Sequence, residues 1–311
     1  MAQAQGVDAL LTDAYRTLTS LDLPGAQDRL ERALELDFED AELLYALKCA
    51  RWWSDSAERV GACLDHLEAG DLVMNRWKAF RSFLARLPEP SPRAALAFKH
   101  YAFKLAHSRY SQLVQSGEAV DPELSLRLGR ACKGYGDYDA ALAHLEAAAK
   151  ARKDDAAVLA ELADLYALLD DARASKALFR EAFFLNPQRI DLELLDNEAL
   201  ARLAQRAAES AGSPHEIPEW VPVYGELMGV FSIKRELKAV EAAKLRQSVY
   251  EMETELSADA TRRPVLLPRL LNRYFWMIDH YVNRGEEKAR IDEILLKIRL
   301  LDANVYALYT A

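Results

Sequence analysis

Residues 122–155 read PELSLRLGRACKGYGDYDAALAHLEAAAKARKDD, and residues 156–189 read AAVLAELADLYALLDDARASKALFREAFFLNPQR. Laid one under the other, with Pro122 over Ala156, the two stretches carry large and small residues in the same order. Leu128-Gly129 stands over Leu162-Ala163, Cys132 over Tyr166, and Gly136 over Asp170. Ala141 stands over Ser175, Leu145 over Phe179 and Ala148 over Ala182, and Pro187 closes the second copy. In the first copy Ser125, Leu128, Gly129 and Cys132 fall on one helical face at i, i+3, i+4 and i+7. Gly129 and Ala163 put a small residue where a neighbouring helix comes close, and Ala141 and Ser175 do the same on the second helix. Gly136 tolerates the left-handed conformation that ends a helix, and Pro187 cannot continue one. Each copy is therefore a helix-turn-helix unit. One such pair cannot bury its own apolar face, whereas several stacked pairs can.

This order of residues, with its period of about 34 residues, resembles the tetratricopeptide repeat (TPR): Leu-Gly, a large residue, Gly-x-Tyr (here Gly136-Asp137-Tyr138), then Ala, Phe, Ala and Pro. The resemblance is specific over Pro122–Pro187 and weaker elsewhere. Working outward, Val7–Leu18 is predicted to be a helix with Leu10, Leu11, Ala14, Tyr15 and Leu18 on one side, broken at Asp22-Leu23-Pro24-Gly25. Ala26, Leu30 and Ala33 repeat the offsets of Ala141, Leu145 and Ala148, so a further unit covers about residues 7–39, with a turn one residue short. Ala41–Trp53 reads as a helix apolar almost all round, and Ser54 or Asp55 as the cap of a following helix that runs to about Glu68. Asp71–Leu87 is a helix whose Trp77, Phe80 and Phe83 suit a core. Pro88–Pro92 is a stiff break, and a long helix over about Arg93–Gln115 follows.

After Pro187 the pattern loosens. Helices are predicted over Glu198–Ala211, Ile233–Leu256 and Leu266–Asn283, with Ser213–Tyr224, rich in proline, as a linker or packed loop. A last helix carries Ile291, Leu295 and Ile298, so a degenerate repeat spans about 272–304. No stretch alternates β-branched residues between hairpin turns, so no sheet is predicted. The fold class is thus all-α: an α-solenoid of TPR-like repeats over 1–187, with the best repeats at 122–155 and 156–189, and a divergent helical region over 188–311.

Composition agrees. Of 311 residues 51% are apolar, and Gly (12) and Pro (11) are scarce, as helical proteins allow. The net charge of -9 speaks against nucleic acid. The basic group Lys288, Arg290, Lys297 and Arg299 is interrupted by Asp292 and Glu293 and reads as a solvated helix face. Cys49, Cys63 and Cys132 sit in apolar patterns and are expected to be free thiols of a cytoplasmic protein. The first dozen residues lack a basic flank followed by an apolar core, and no apolar run is long enough to span a membrane.

A search for chemistry returns little. There is no Gly-rich phosphate loop, nucleophile elbow or His-Glu-x-x-His. Cys63-x-x-His66 offers two ligands where zinc takes about four, so no metal or cofactor is expected. Asp154-Asp155 and Asp170-Asp171 stand where helices begin and suit the positive end of the helix dipole.

What the TPR resemblance implies is a concave groove, lined by the first helix of each pair, that takes a peptide or protein partner. By register the groove positions are Glu123, Leu126, Arg130 and Lys133, then Ala157, Ala160, Asp164, Ala167 and Leu168. Tyr45 and Trp52 would extend the surface. The clamp that one TPR subclass uses for a C-terminal carboxylate is absent, since its positions hold Leu126, Arg130 and Glu161. The chosen partner-binding set is therefore Leu126, Arg130, Lys133, Ala160, Asp164, Leu168, Tyr45 and Trp52. The function expected is a non-enzymatic protein–protein interaction scaffold of undetermined oligomeric state. The alternative is a helical enzyme or small-ligand sensor with its site in the C-terminal half.

Overall fold

The computed structural model describes residues 2–117, 119–286 and 288–311. Among these residues every regular element is helical: fifteen α-helices and four short 3-10 turns, with no strand. The chain divides into two compact units, residues 1–151 and 152–311. The first holds α1 (Ala2–Thr19), α2 (Leu23–Leu36), α3 (Ala41–Ala62), α4 (His66–Leu84), α5 (Pro92–Gln115), α6 (Pro122–Tyr135) and α7 (Tyr138–Ala151). The second holds α8 (Ala156–Leu168), α9 (Ala172–Leu185), α10 (Glu198–Ala208), α11 (Ile217–Leu227), α12 (Ala239–Ala258), α13 (Arg263–Arg284), α14 (Lys288–Leu301) and α15 (Ala303–Thr310).

Aspartate starts many of these helices. Asp22, Asp40, Asp65, Asp121, Asp155, Asp171 and Asp302 each accept a hydrogen bond from a backbone N–H just inside the helix that follows. Each satisfies an otherwise orphaned donor and places negative charge at the positive end of the dipole. Part of the chain's acidity therefore serves capping; of the pairs Asp154-Asp155 and Asp170-Asp171, Asp155 and Asp171 are the caps, while Asp170 stands at the end of α8.

Four helical hairpins share one turn. In α6/α7 Gly136 is left-handed (φ 92°), its N–H donates to the Lys133 carbonyl (3.2 Å), and the Asp137 N–H donates to the Cys132 carbonyl (3.0 Å). In α8/α9, the next copy of the repeat, Asp170 (φ 61°), Ala167, Asp171 and Tyr166 take the same places. In α1/α2 they are Leu21 (φ 63°), Leu18, Asp22 and Thr17, and in α13/α14 Gly285 (φ 62°), Val282, Glu286 and Tyr281. This is the Schellman termination, which ties off two helix-end carbonyls. The turn of the N-terminal hairpin is thus not one residue short: Leu21 stands as far before Ala26 as Gly136 stands before Ala141. The C-terminal hairpin is also in a different register. Ile294 and Ile298 are the buried residues of α14, and Leu295 is only half-buried.

Gly129 bears out the close approach. A Cβ there would stand 2.6 Å from Leu145 Cγ and 3.3 Å from the Ala141 carbonyl oxygen. Ala163, its counterpart in α8, is fully buried.

Three further expectations are corrected. No helix starts at Ser54 or Asp55, because α3 runs unbroken to Ala62. Ser54 donates instead to the Ala50 carbonyl (3.0 Å) and Ser56 to that of Trp52 (3.2 Å), folding back on the helix. Ser213–Tyr224 is no linker. A 3-10 turn leads into α11, which carries Pro222 in its interior and buries Trp220, Val221, Val223 and Tyr224; burial overrides the missing N–H. The long helix expected from Ile233 begins only at Ala239. The boundary between the compact units falls at 151/152, between the two best repeats. The core of the second unit explains it: Leu159, Ala163, Phe179 and Phe183 of α8 and α9 belong to the same apolar cluster as Trp220, Leu271 and Phe275.

Candidate functional site

The structure places the eight residues chosen from the sequence in two kinds of surroundings. Tyr45, Leu126, Lys133, Ala160 and Asp164 are buried, Lys133 to 2% exposure and Asp164 completely. Trp52, Arg130 and Leu168 are half-buried. Five of the eight therefore do not line an open groove. The Asp164 carboxylate accepts from the backbone N–H groups of Asp196 (3.0 Å) and Asn197 (2.8 Å), and so fixes the start of α10. Trp52 lies under the Arg76 guanidinium, with Cζ 4.3 Å from the ring centroid, and within 5.0 Å of Phe80.

Glu123, another groove position, pairs with Arg127 one turn along (2.6 Å). Arg127 also bonds Asp71 of α4 through Nε (2.9 Å), and Asp71 accepts from the Tyr110 hydroxyl of α5 (2.7 Å). This network joins α4, α5 and α6. Burial, reinforced by the Asp71 charge, pushes the Tyr110 phenol far above its usual range, so it stays a neutral donor.

The sequence reading missed the densest charge cluster. In the second unit Arg180 of α9 and Asp279 of α13 are buried and directly bonded, and Glu226 of α11 stands 3.6 Å from the guanidinium. Lys234, in the segment before α12, reaches Asp279 (2.5 Å) and Glu226 (2.8 Å). Burial works against the Lys234 charge, but the two carboxylates outweigh it and hold its pKa above the ordinary value. Arg180 also lies over the Trp276 ring at 4.3 Å, a cation–π contact. Elsewhere on α11, Glu219, fully buried, is held by both Arg269 and Gln188. The two acids and two bases of the first cluster cancel, which is the condition for burying charge. One signal was available: Asp279 interrupts the run Tyr274-Phe275-Trp276-Met277-Ile278, and Glu219 abuts Trp220.

The cysteines are free thiols. Burial raises Cys49 to about 12 and also raises Cys132, so both remain protonated. Cys63 ends α3 and points its Sγ at the Asp65 carbonyl (3.4 Å). No helix among the described residues is long and apolar enough to cross a membrane.

No protein-family model matches the chain, and no curated protein matches it.

Proposed function

We propose that the chain is a non-enzymatic interaction scaffold built from TPR-like repeats, cytoplasmic, with a protein or peptide partner. The observation that carries this reading is the recurrence of one turn in four hairpins, with the same left-handed position and the same two carbonyls tied off. A unit reused at fixed register is how repeat proteins build surface for partners. The charged clusters support the non-catalytic part, since their acids and bases neutralise one another and hold helices together.

Burial changes which residues are useful probes. Lys133→Glu would place an acid in an interior position and report on folding. Of the residues expected to meet a partner, Trp52 and Arg130 of the first unit and Leu168 of the second are half-buried and the others are buried. The test is crosslinking capture from the native host with wild type and Arg130→Glu side by side, and a melting curve for each. The expected result is a recurrent protein captured by wild type and depleted with a folded Arg130→Glu. Equal capture by the folded variant would remove the central face from the reading, and no recurrent protein with wild type would overturn the scaffold itself.

A further inference from the structure

One cation of the second unit is treated differently from the others. Arg273 of α13 faces a cavity of about 260 Å³ walled by Phe184 and Leu185 of α9, Leu237, and Leu245 and Ser248 of α12. Its guanidinium lies over the Phe184 ring at 4.8 Å. Its hydrogen bond, from Nη1 to the Phe184 carbonyl, is long at 3.4 Å, and the buried Nε has no partner. No ion pair to Arg273 exists among the described residues. Glu181 and Glu241 also line the cavity and are held by Arg235: Glu181 through Nε and Nη2 at 2.9 Å each, and Glu241 at 2.9 Å. Asp154 and Lys244, the remaining charges, are exposed.

Arg273 is half-buried, and a guanidinium largely withdrawn from water with no ion pair is costly; an anion with matching geometry reduces that cost. The planar fork of arginine fits a carboxylate through two parallel N–H donors. Most of the wall is apolar, which selects a ligand with an apolar body. A dianionic phosphate would add a second negative charge beside Glu181, Glu241 and Asp154. We propose that this cavity binds a small organic monocarboxylate, with its carboxylate on Arg273 and its apolar body against Phe184, Leu185, Leu237 and Leu245. Burial, with Arg269 nearby and only Glu219 opposing, brings the Arg273 pKa down to about 10, so the group is still a cation at neutral pH. The site is independent of the scaffold reading.

The test uses the full chain with butanoate, hexanoate, octanoate and phenylacetate as probes, and hexanamide and inorganic phosphate as controls. Binding is followed by calorimetry and melting. At least one of the acids is expected to raise the melting temperature at millimolar concentration, and hexanamide and phosphate are not. Affinity for that acid should fall by about tenfold or more in Arg273→Met, as loss of a charge-assisted bidentate contact does, and by less in Arg273→Lys. The unliganded Arg273→Met should melt no lower than wild type, because the charge it loses is in no direct ion pair. Stabilisation by none of the acids, equal binding of hexanamide, or unchanged affinity in a folded Arg273→Met would overturn the proposal. A fall in melting temperature of unliganded Arg273→Met, with no acid bound by wild type, would assign Arg273 to packing alone.

Discussion

The two units fill their interiors with different chemistry. In the first, α3, α4 and α5 meet through aromatic rings: Trp53 lies 5.4 Å from Phe80 and 5.7 Å from Tyr101, and Trp77 lies 5.5 Å from Phe103. Apart from the buried Lys133, the described charges of this unit lie nearer the surface, as in the Arg93–Asp8 pair (2.6 Å), whose side chains are 43% and 66% exposed. In the second, α9, α11 and α13 meet through Arg180, Asp279, Glu226 and Lys234, with Trp276 stacked on the Arg180 guanidinium. Aromatic packing is forgiving because it depends on shape and area. A buried ionic cluster is unforgiving, because each charge is stable only while its partners remain.

Removal of one partner is the sharpest way to expose that contrast. Asp279→Leu leaves Arg180 and Lys234 facing Glu226 alone, one uncompensated positive charge in the core. A loss of roughly 3–5 kcal/mol is expected. In the first unit, Asp8→Ala should cost about 0–1 kcal/mol, as exposed pairs do. Urea unfolding of both variants checks this, and similar losses would erase the distinction between the units.

Next in size is the close approach inside the hairpins. Gly129→Leu drives a side chain into Leu145 and the Ala141 carbonyl and should cost about 1–3 kcal/mol or somewhat more. Ala163→Gly, at the matching position of the second unit, should cost only about 1 kcal/mol through backbone entropy. Equal effects would mean that the two hairpins do not share a contact.

A smaller contrast lies in pH. In the first unit burial lowers the pKa of His100, His107 and His144; His107 also packs its ring 5.3 Å from that of Tyr135. Each is more readily protonated unfolded, near 6.5, than folded. Their neutral forms favour the fold, so this stability is complete above about pH 6.5 and is lost as pH falls towards the folded values. The second unit has His280 shifted the same way, by burial and then by Arg284 and Arg246. The three histidines replaced by glutamine should flatten the decline in melting temperature between pH 7.5 and 5.5 more than His280→Gln does.

The helices were legible because their signals are local: Asp caps, periodic apolar faces and the Gly136 turn each lie within a short stretch of chain. The spacing of the two copies also placed Gly129 and Ala163 correctly. What was not legible depends on what packs across a helix. The side of α8 that carries Ala160 and Asp164 read as a free face, yet the chain returns to put the Asp196 and Asn197 amides on Asp164. The Arg180 cluster draws on residues up to 99 apart with no shared period. Only Asp279, which interrupts the apolar run Tyr274–Ile278, carried a local sign of burial. The interior helix α11 was hidden by its prolines.

The smallest predicted effect tests the feature on which the repeat reading rests. The left-handed position is glycine in α6/α7 and aspartate in α8/α9, at matching places of the two copies, with the same hydrogen bonds around each. A Cβ at Gly136 would meet nothing within 4 Å, so substitution there changes backbone preference and not packing. An L-residue held at positive φ is strained by about 1–2 kcal/mol, less for aspartate and asparagine. Glycine recovers that strain but loses more entropy on folding. The two terms nearly offset, so Asp170→Gly should gain between a few tenths and about 1 kcal/mol. Gly136→Asp should lose a similar amount, and Gly136→Val, with a β-branched side chain, clearly more. Melting curves of the three variants read this directly. If Gly136→Val melted with wild type, the left-handed turn would not be holding its helices in register, and the equivalence of the two hairpins would rest on sequence spacing alone.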